Sequence, residues 1–264
     1  MKLALSNLIF VCLFLFSGAA MKAGTLDTIP STDSTRVQKP KKISQLSIYI
    51  HGGGNIPRGD YGTNRIDGRY PTQIVGSALK GGYHFDVSGL NMVSKRIGCN
   101  FKFGVDLNMS SPVYLSQGVS QPLHYELYQC LVGLTFLMRP YTSRFNLNFT
   151  GLLGVAELND RYPFVYVNYG GPNLISGKVI PGQGFGLAGY YGVGCSYRFG
   201  DRFWFVMNAG ELVSRLNFNN AVDDRYEQYG FAQYAPTTHS INKVTLTMNT
   251  LLLQFNIGFG IKLF

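Results

Sequence analysis

Acid–base and nucleophilic chemistry needs a histidine or carboxylate held beside a nucleophile. The chain has four histidines, His51, His84, His124 and His239. Ser120 and Glu126 flank His124. His239 has Thr237, Thr238 and Ser240 around it, with Asp223-Asp224 upstream. A sparser charged set consists of Lys80, His84, Lys102 and Asp106. Cys99, Cys130 and Cys195 form no Cys-x-x-Cys pair, so zinc is not indicated. Gly52-Gly53-Gly54 has no helix behind it and is not a phosphate cradle; it reads as easing a first strand into its loop. Neither a cofactor nor a metal is implied, and none of these sets dictates a reaction until the elements that carry them are known.

Composition narrows the setting. Charged residues make up 14% of the 264 residues and aromatics another 14%, with 32 glycines and a net charge of +9. This profile fits neither a disordered chain nor a coiled coil. Lys2, the nine-residue apolar run from Leu8 to Phe16 and the small residues Ser17 to Ala20 read as an export signal over 1–20, with cleavage as far as 23. A membrane-crossing helix needs about 20 apolar residues, so the run is no anchor. Residues 21–42 form a polar leader with two prolines, expected to be disordered. Part of the positive charge lies in the signal and leader, and nucleic acid is not an implied partner.

From 43 to 264 the hydrophobic period is two rather than 3.6. It is cleanest over 99–109, where Cys99, Phe101, Phe103, Val105, Leu107 and Met109 alternate with Asn100, Lys102, Gly104, Asp106 and Asn108. The pattern repeats over 144–155, 185–199 and 251–263, and more weakly over 45–54, 73–85, 125–138 and 202–213. Eight segments of about ten residues match the length of tilted membrane strands. The connections alternate: 55–72, 110–124, 156–182 and 214–249 are long, 139–143 and 200–201 are tight, and 86–98 is intermediate. Long loops on one rim and short turns on the other are the asymmetry of an outer-membrane barrel. A soluble antiparallel sandwich would also alternate, but its wet face would carry more charge than the Gly, Asn, Ser and Thr found here. The fold class is therefore an all-β, eight-stranded antiparallel transmembrane β-barrel.

In that fold the polar face lines the lumen, placing Lys80, His84, Lys102, Asp106, Gln129, Asn146, Asn148, Asn208, Gln254 and Asn256 inside. With strands two and three paired across 86–98, Lys80 lies diagonal to both Lys102 and Asp106. The cluster reads either as an anion-selective constriction or as a structural plug in which Asp106 holds the lysines together. Eight strands leave a lumen that side chains just fill, which favours the plug. The tyrosine- and phenylalanine-rich stretches 160–169 and 226–234 fall in long loops and suit contacts with a protein or glycan partner.

The segments SIYIHGGGNIPRGDYG (47–62), ALKGGYHF (78–85), FKFGVDLNMSSPVY (101–114) and the terminal FGIKLF (259–264) carry a family likeness. In them the chain resembles the small outer-membrane barrels of the OmpA/OmpX/OmpW type, and the "porin family" or outer-membrane β-barrel-domain proteins common in the Bacteroidota. The resemblance implies the outer membrane of a Gram-negative bacterium, with lipid and lipopolysaccharide around the barrel. It further implies the barrel-insertion machinery as a partner, with Phe264 as the terminal aromatic signal, although Phe264 falls on the opposite parity to Leu263. Three roles fit the family: a structural or interaction protein working through its outer loops, a narrow channel or small-ligand conduit, and an accessory barrel of a secretion or uptake complex. Catalysis is not expected. The His-x-Ser motif associated with outer-membrane lipid deacylases is missing. Asp223-Asp224 with His239 resembles the acidic pair and histidine of the omptin proteases, but those barrels have ten strands, and 214–249 is short for another membrane hairpin.

Overall fold

The computed structural model describes residues 45–58, 81–109, 113–114, 120–121, 124–160, 164–168, 173–180, 182–229 and 237–263. The export signal, the leader, Lys80 and Phe264 lie outside the described residues. The elements, in chain order, are β1 (Gln45–Arg58), β2 (Gly82–Met92), β3 (Ile97–Met109), β4 (Val113–Tyr114), β5 (Ser120–Gln121) and β6 (His124–Leu137). They continue with β7 (Phe145–Asp160), β8 (Phe164–Asn168), β9 (Asn173–Ile180), β10 (Gly182–Phe199), β11 (Phe203–Tyr229) and β12 (Thr237–Lys262).

Eight of these strands close into a ring of antiparallel neighbours. β1 pairs with β2 and β12, β3 with β2 and β6, β7 with β6 and β10, and β11 with β10 and β12. Closure satisfies the backbone of every spanning strand, the condition for crossing a bilayer without helices. The alternation read from sequence sets the faces. Phe145, Leu147, Phe149 and Leu153 of β7 are exposed on the outer wall, while Asn146, Asn148, Leu152, Ala156 and Leu158 are buried inside. Leu153 and Leu187 are 74% and 78% exposed, which in water would be a large apolar patch and in a bilayer is simply the lipid contact.

Three features differ from the sequence expectations. The second strand is Gly82–Met92 rather than 73–85, and its turn to β3 occupies only 93–96. Tyr83, Phe85 and Val87 face outward, and His84, Asp86 and Ser88 face inward. The alternation thus runs through Asp86, whose type and neighbours suggested a turn. The segments 156–182 and 214–249 are not simple loops. β11 and β12 continue as a hairpin beyond the ring, with a register shift between Phe218 and Ala221, and β9 and β8 add to the free side of β11. The described parts of the aromatic stretches expected in loops are strand: Phe164–Asn168 is β8, and Tyr226 to Tyr229 ends β11. Hydrogen bonding between the two chains of a hairpin can persist beyond the membrane, which no period-two signal forbids.

The third concerns Gly52-Gly53-Gly54, which sits within β1 rather than at its end. A Cβ on Gly53 would lie 1.8 Å from the backbone oxygen of Phe255, and one on Gly186 would lie 1.7 Å from that of Arg215. These glycines let neighbouring strands approach on the tightly curved inner side. Gly186→Ala is expected to destabilise the barrel by about 1–3 kcal/mol, because rigid backbone must give way. Gly151→Ala, where nothing lies within 4 Å, serves as the neutral control. Urea unfolding of the two refolded variants checks this, and equal midpoints would refute the packing role.

Candidate functional site

The ring's interior is stacked in three layers along its axis. Nearest the short turns, Tyr49, Leu90, Met92, Leu137, Tyr141, Trp204 and Val206 form an apolar plug. Toward the long hairpins lies a larger apolar cluster, including Leu127, Leu158, Leu212, Leu216, Phe218, Met248 and Leu252, each 0% exposed. Between them is a polar layer, and every described residue expected in the lumen faces inward. His84, Lys102, Asp106, Gln129, Asn148, Gln254 and Asn256 are buried there, half-buried Asn208 lines its cavities, and buried Asn146 sits lower, bonded to Arg139 and Pro140 of the β6–β7 turn.

Asp106 is the hub of this layer. Its carboxylate accepts from His84 Nδ1 at 2.8 Å, Asn55 Nδ2 at 2.7 Å, Gln129 Nε2 at 2.8 Å, and Gln254 Nε2 at 2.9 and 3.1 Å. Asn55 is in turn held by Asn108 Nδ2 at 2.5 Å and by the Gly82 amide at 3.1 Å. The second carboxylate, Asp86, accepts from His51 Nδ1 at 2.6 Å and His84 Nε2 at 2.8 Å, and pairs with Lys102 Nζ at 3.4 Å. Lys102 also donates to Gln254 Oε1 at 2.9 Å and lies 4.1 Å from the centre of the Tyr190 ring.

The geometry fixes the charge balance. An ionised carboxylate only accepts, so His84, bonded through both ring nitrogens to two carboxylates, carries two protons and a positive charge. His51 meets a carboxylate only through Nδ1, while its Nε2 faces the Asn208 amide nitrogen at 3.4 Å, so one proton suffices. Two cations, Lys102 and His84, then offset two anions, Asp86 and Asp106. Buried ions persist where charge is matched and their hydrogen bonds are made, and here both carboxylates and both cations are bonded, leaving the Gln129 Oε1 and Asn256 Oδ1 acceptors unpaired in the layer.

For Lys102 the arrangement differs from the expected one: its carboxylate is Asp86, while Asp106 is bound by an imidazole and three carboxamides, and Lys80 lies outside the described residues. Sequence reading missed His51, Asn55, Asp86 and Asn108. The outward Tyr83, Phe85 and Val87 bracket Asp86 at the right period and were the available signal.

Two small cavities lie in the turn-side half of the lumen. One, of about 50 Å³, runs between the Tyr141–Trp204 plug and His51. The other, of about 40 Å³, touches His51, Asp86, Lys102 and Asn256. Each has room for a few waters at most.

A separate pair, exposed His239 with half-buried Asp224, lies outside the ring. His239 Nε2 is 2.7 Å from Asp224 Oδ1, and the Tyr226 ring stacks on His239 at 4.3 Å. The structure thus joins Asp224 to His239 as the sequence likeness suggested, on the hairpin where β11 and β12 pair. Of the other set, Glu126 faces outward and accepts from Tyr128 and Asn159. Among the described residues no group of three metal-ligating side chains occurs.

No protein-family model and no curated protein matches the chain. Solved structures match its fold. The outer membrane protein OprG from Pseudomonas aeruginosa shares 15% identity, covering 83% of this chain and 97% of its own, with a TM-score of 0.42. A major outer membrane protein from Thermus thermophilus shares 10% over 83% of this chain and 99% of its own, with a TM-score of 0.41. The outer membrane protease OmpT from Escherichia coli shares 12% over 90% of this chain and 100% of its own, with a TM-score of 0.39. All three are outer-membrane β-barrels, the class that the sequence resembles. A closed antiparallel ring with an apolar exterior and a filled polar interior is the outer-membrane architecture, and the chain is a membrane-spanning barrel of that kind.

Proposed function

We propose that the protein is a non-conducting outer-membrane barrel that acts as a structural and interaction protein through the hairpins it carries beyond the membrane. The fully buried apolar cluster on β6, β7, β10, β11 and β12, packed beside the bonded Asn55–Asp106–Asn108 network of β1 and β3, carries this reading. Leu127, Leu158, Leu212, Leu216 and Leu252 are fully buried inside the ring, and the polar side chains of β1–β3 are taken up in hydrogen bonds with one another, so no open path leads past Asp86 and Lys102. The polar cluster of His84, Lys102, Asp106, Gln129 and Asn256 is then a matched internal brace rather than a constriction.

The interaction surface is the sheet β12-β11-β9-β8, where Tyr226 and Ile241 are exposed. Aromatic and apolar side chains on a hydrogen-bonded sheet suit a protein partner. The Asp224–His239 pair, with Tyr226 stacked on the imidazole, is assigned a positioning role on this sheet.

The refolded protein in a planar bilayer is expected to give no single-channel steps above background, and steps of uniform size would overturn the plug. Purification from native membranes in mild detergent is expected to bring down a partner that is lost when the hairpin beyond Phe218 is shortened. A barrel that always purifies alone would count against the interaction role.

A further inference from the structure

The turn-side rim carries a ring of cations that the brace does not use. Lys95 and Arg96 sit in the turn between β2 and β3, Arg139 and Arg144 in that between β6 and β7, and Arg202 opens β11, all exposed; Lys262 ends β12 and is half-buried. Only one acid, Asp201, shares these turns. None of the six cations forms an ion pair among the described residues.

Their backbones are tied to the neighbouring turn or strand. The Leu137 amide donates to Arg96 O at 2.7 Å and the Tyr141 amide to Lys95 O at 2.8 Å. The Arg198 amide donates to Arg144 O at 2.7 Å and the Lys262 amide to Arg202 O at 2.8 Å. Each turn is therefore held to the element beside it, and together they make the collar at this rim.

We infer that this collar binds the phosphate headgroups of anionic phospholipids in the turn-side leaflet. Three observations point to lipid. The cations are spread around the circumference, as an annulus of lipids is, and not gathered on one side as a protein footprint would be. Arg96, Arg144 and Arg202 each immediately precede an exposed apolar residue at the end of the wall, Ile97, Phe145 and Phe203. Eight strands spaced about 4.8 Å and tilted about 40° give a radius of roughly 8 Å. Every group on such a rim lies within about one Debye length of the surrounding headgroups.

Electron spin resonance of the full-length protein, refolded in phosphatidylcholine bilayers with trace spin-labelled lipid, tests this. Labelled phosphatidylglycerol is expected to associate roughly three- to fivefold more strongly than labelled phosphatidylcholine at low salt. The preference is expected to fall by at least half in 0.5 M salt, a probe condition of roughly 4 Å screening length. It is expected to fall as far in the R139Q/R144Q/R202Q variant. Those exposed substitutions leave the brace intact, and a retained heat-modifiable band on gels verifies folding. Equal association of the two lipids, or a preference that the triple variant keeps, would overturn the collar and leave an acidic protein as the alternative counter-ion.

Discussion

Asp106→Ala is expected to lower the unfolding free energy of the refolded barrel by about 3–5 kcal/mol, the usual cost of stripping one partner from a buried ionic network. The loss exceeds that of one ion pair because four side chains donate to this carboxylate, from β1, β2, β6 and β12. Without it, the His84 imidazolium keeps only Asp86, and the Asn55, Gln129 and Gln254 amides lose an acceptor inside a dry layer. Asp106→Asn, which keeps one acceptor oxygen, is expected to lose less. Urea titration of both variants in the same bilayer measures the difference. A loss below about 1 kcal/mol for alanine would mean the network is not the brace described. Conductance should stay absent in both, because the apolar layer is untouched.

That layer gives the second large effect. Leu212 and Leu252 are directly opposed on β11 and β12, both facing inward and both 0% exposed. Leu212→Ala alone is expected to cost about 2–5 kcal/mol. The double change Leu212→Ser with Leu252→Ser removes two side chains at one level and adds hydroxyls that can hold water. It is expected to convert a silent barrel into one with measurable ion conductance. The cavities near His51 and Asp86 would then connect with the hairpin side. A double variant that folds, as judged by gel mobility before and after heating, yet stays silent would place the seal elsewhere. Conductance from Asp106→Ala instead would restore the constriction reading.

The two experiments separate what one alternation pattern leaves combined. Along β7, Asn148 and Leu152 occupy the same inward face, one in the polar layer and the other in the apolar one. A period of two says which residues share a face but not at which height along the axis they meet.

Strand closure, lumen membership and the lipid-facing wall were legible from local rules. Phe101, Phe103 and Val105 alternate with Lys102, Gly104 and Asp106, and the side-chain period of a strand leaves them no other arrangement. The charge pairing was not legible, because it depends on register between strands far apart in sequence. Lys102 and Gln254 are 152 residues apart and meet at 2.9 Å. Asp86 was hidden by its own type, since an aspartate before Val-Ser-Gly also suits a turn. Only the pairing of β2 with β1 and β3 turns it inward, toward His51 and Lys102. The hairpin beyond the membrane escaped for a related reason. Leu216 and Phe218 keep the inward period, but the register shift between Phe218 and Ala221 moves it to the other parity, so 214–249 showed no clean period. The sequence by itself determined a barrel and its two faces, because side-chain alternation is a property of each strand alone. The tertiary structure alone decided which buried charges neutralise one another and where the lumen is sealed, because both depend on how eight strands are staggered around the ring.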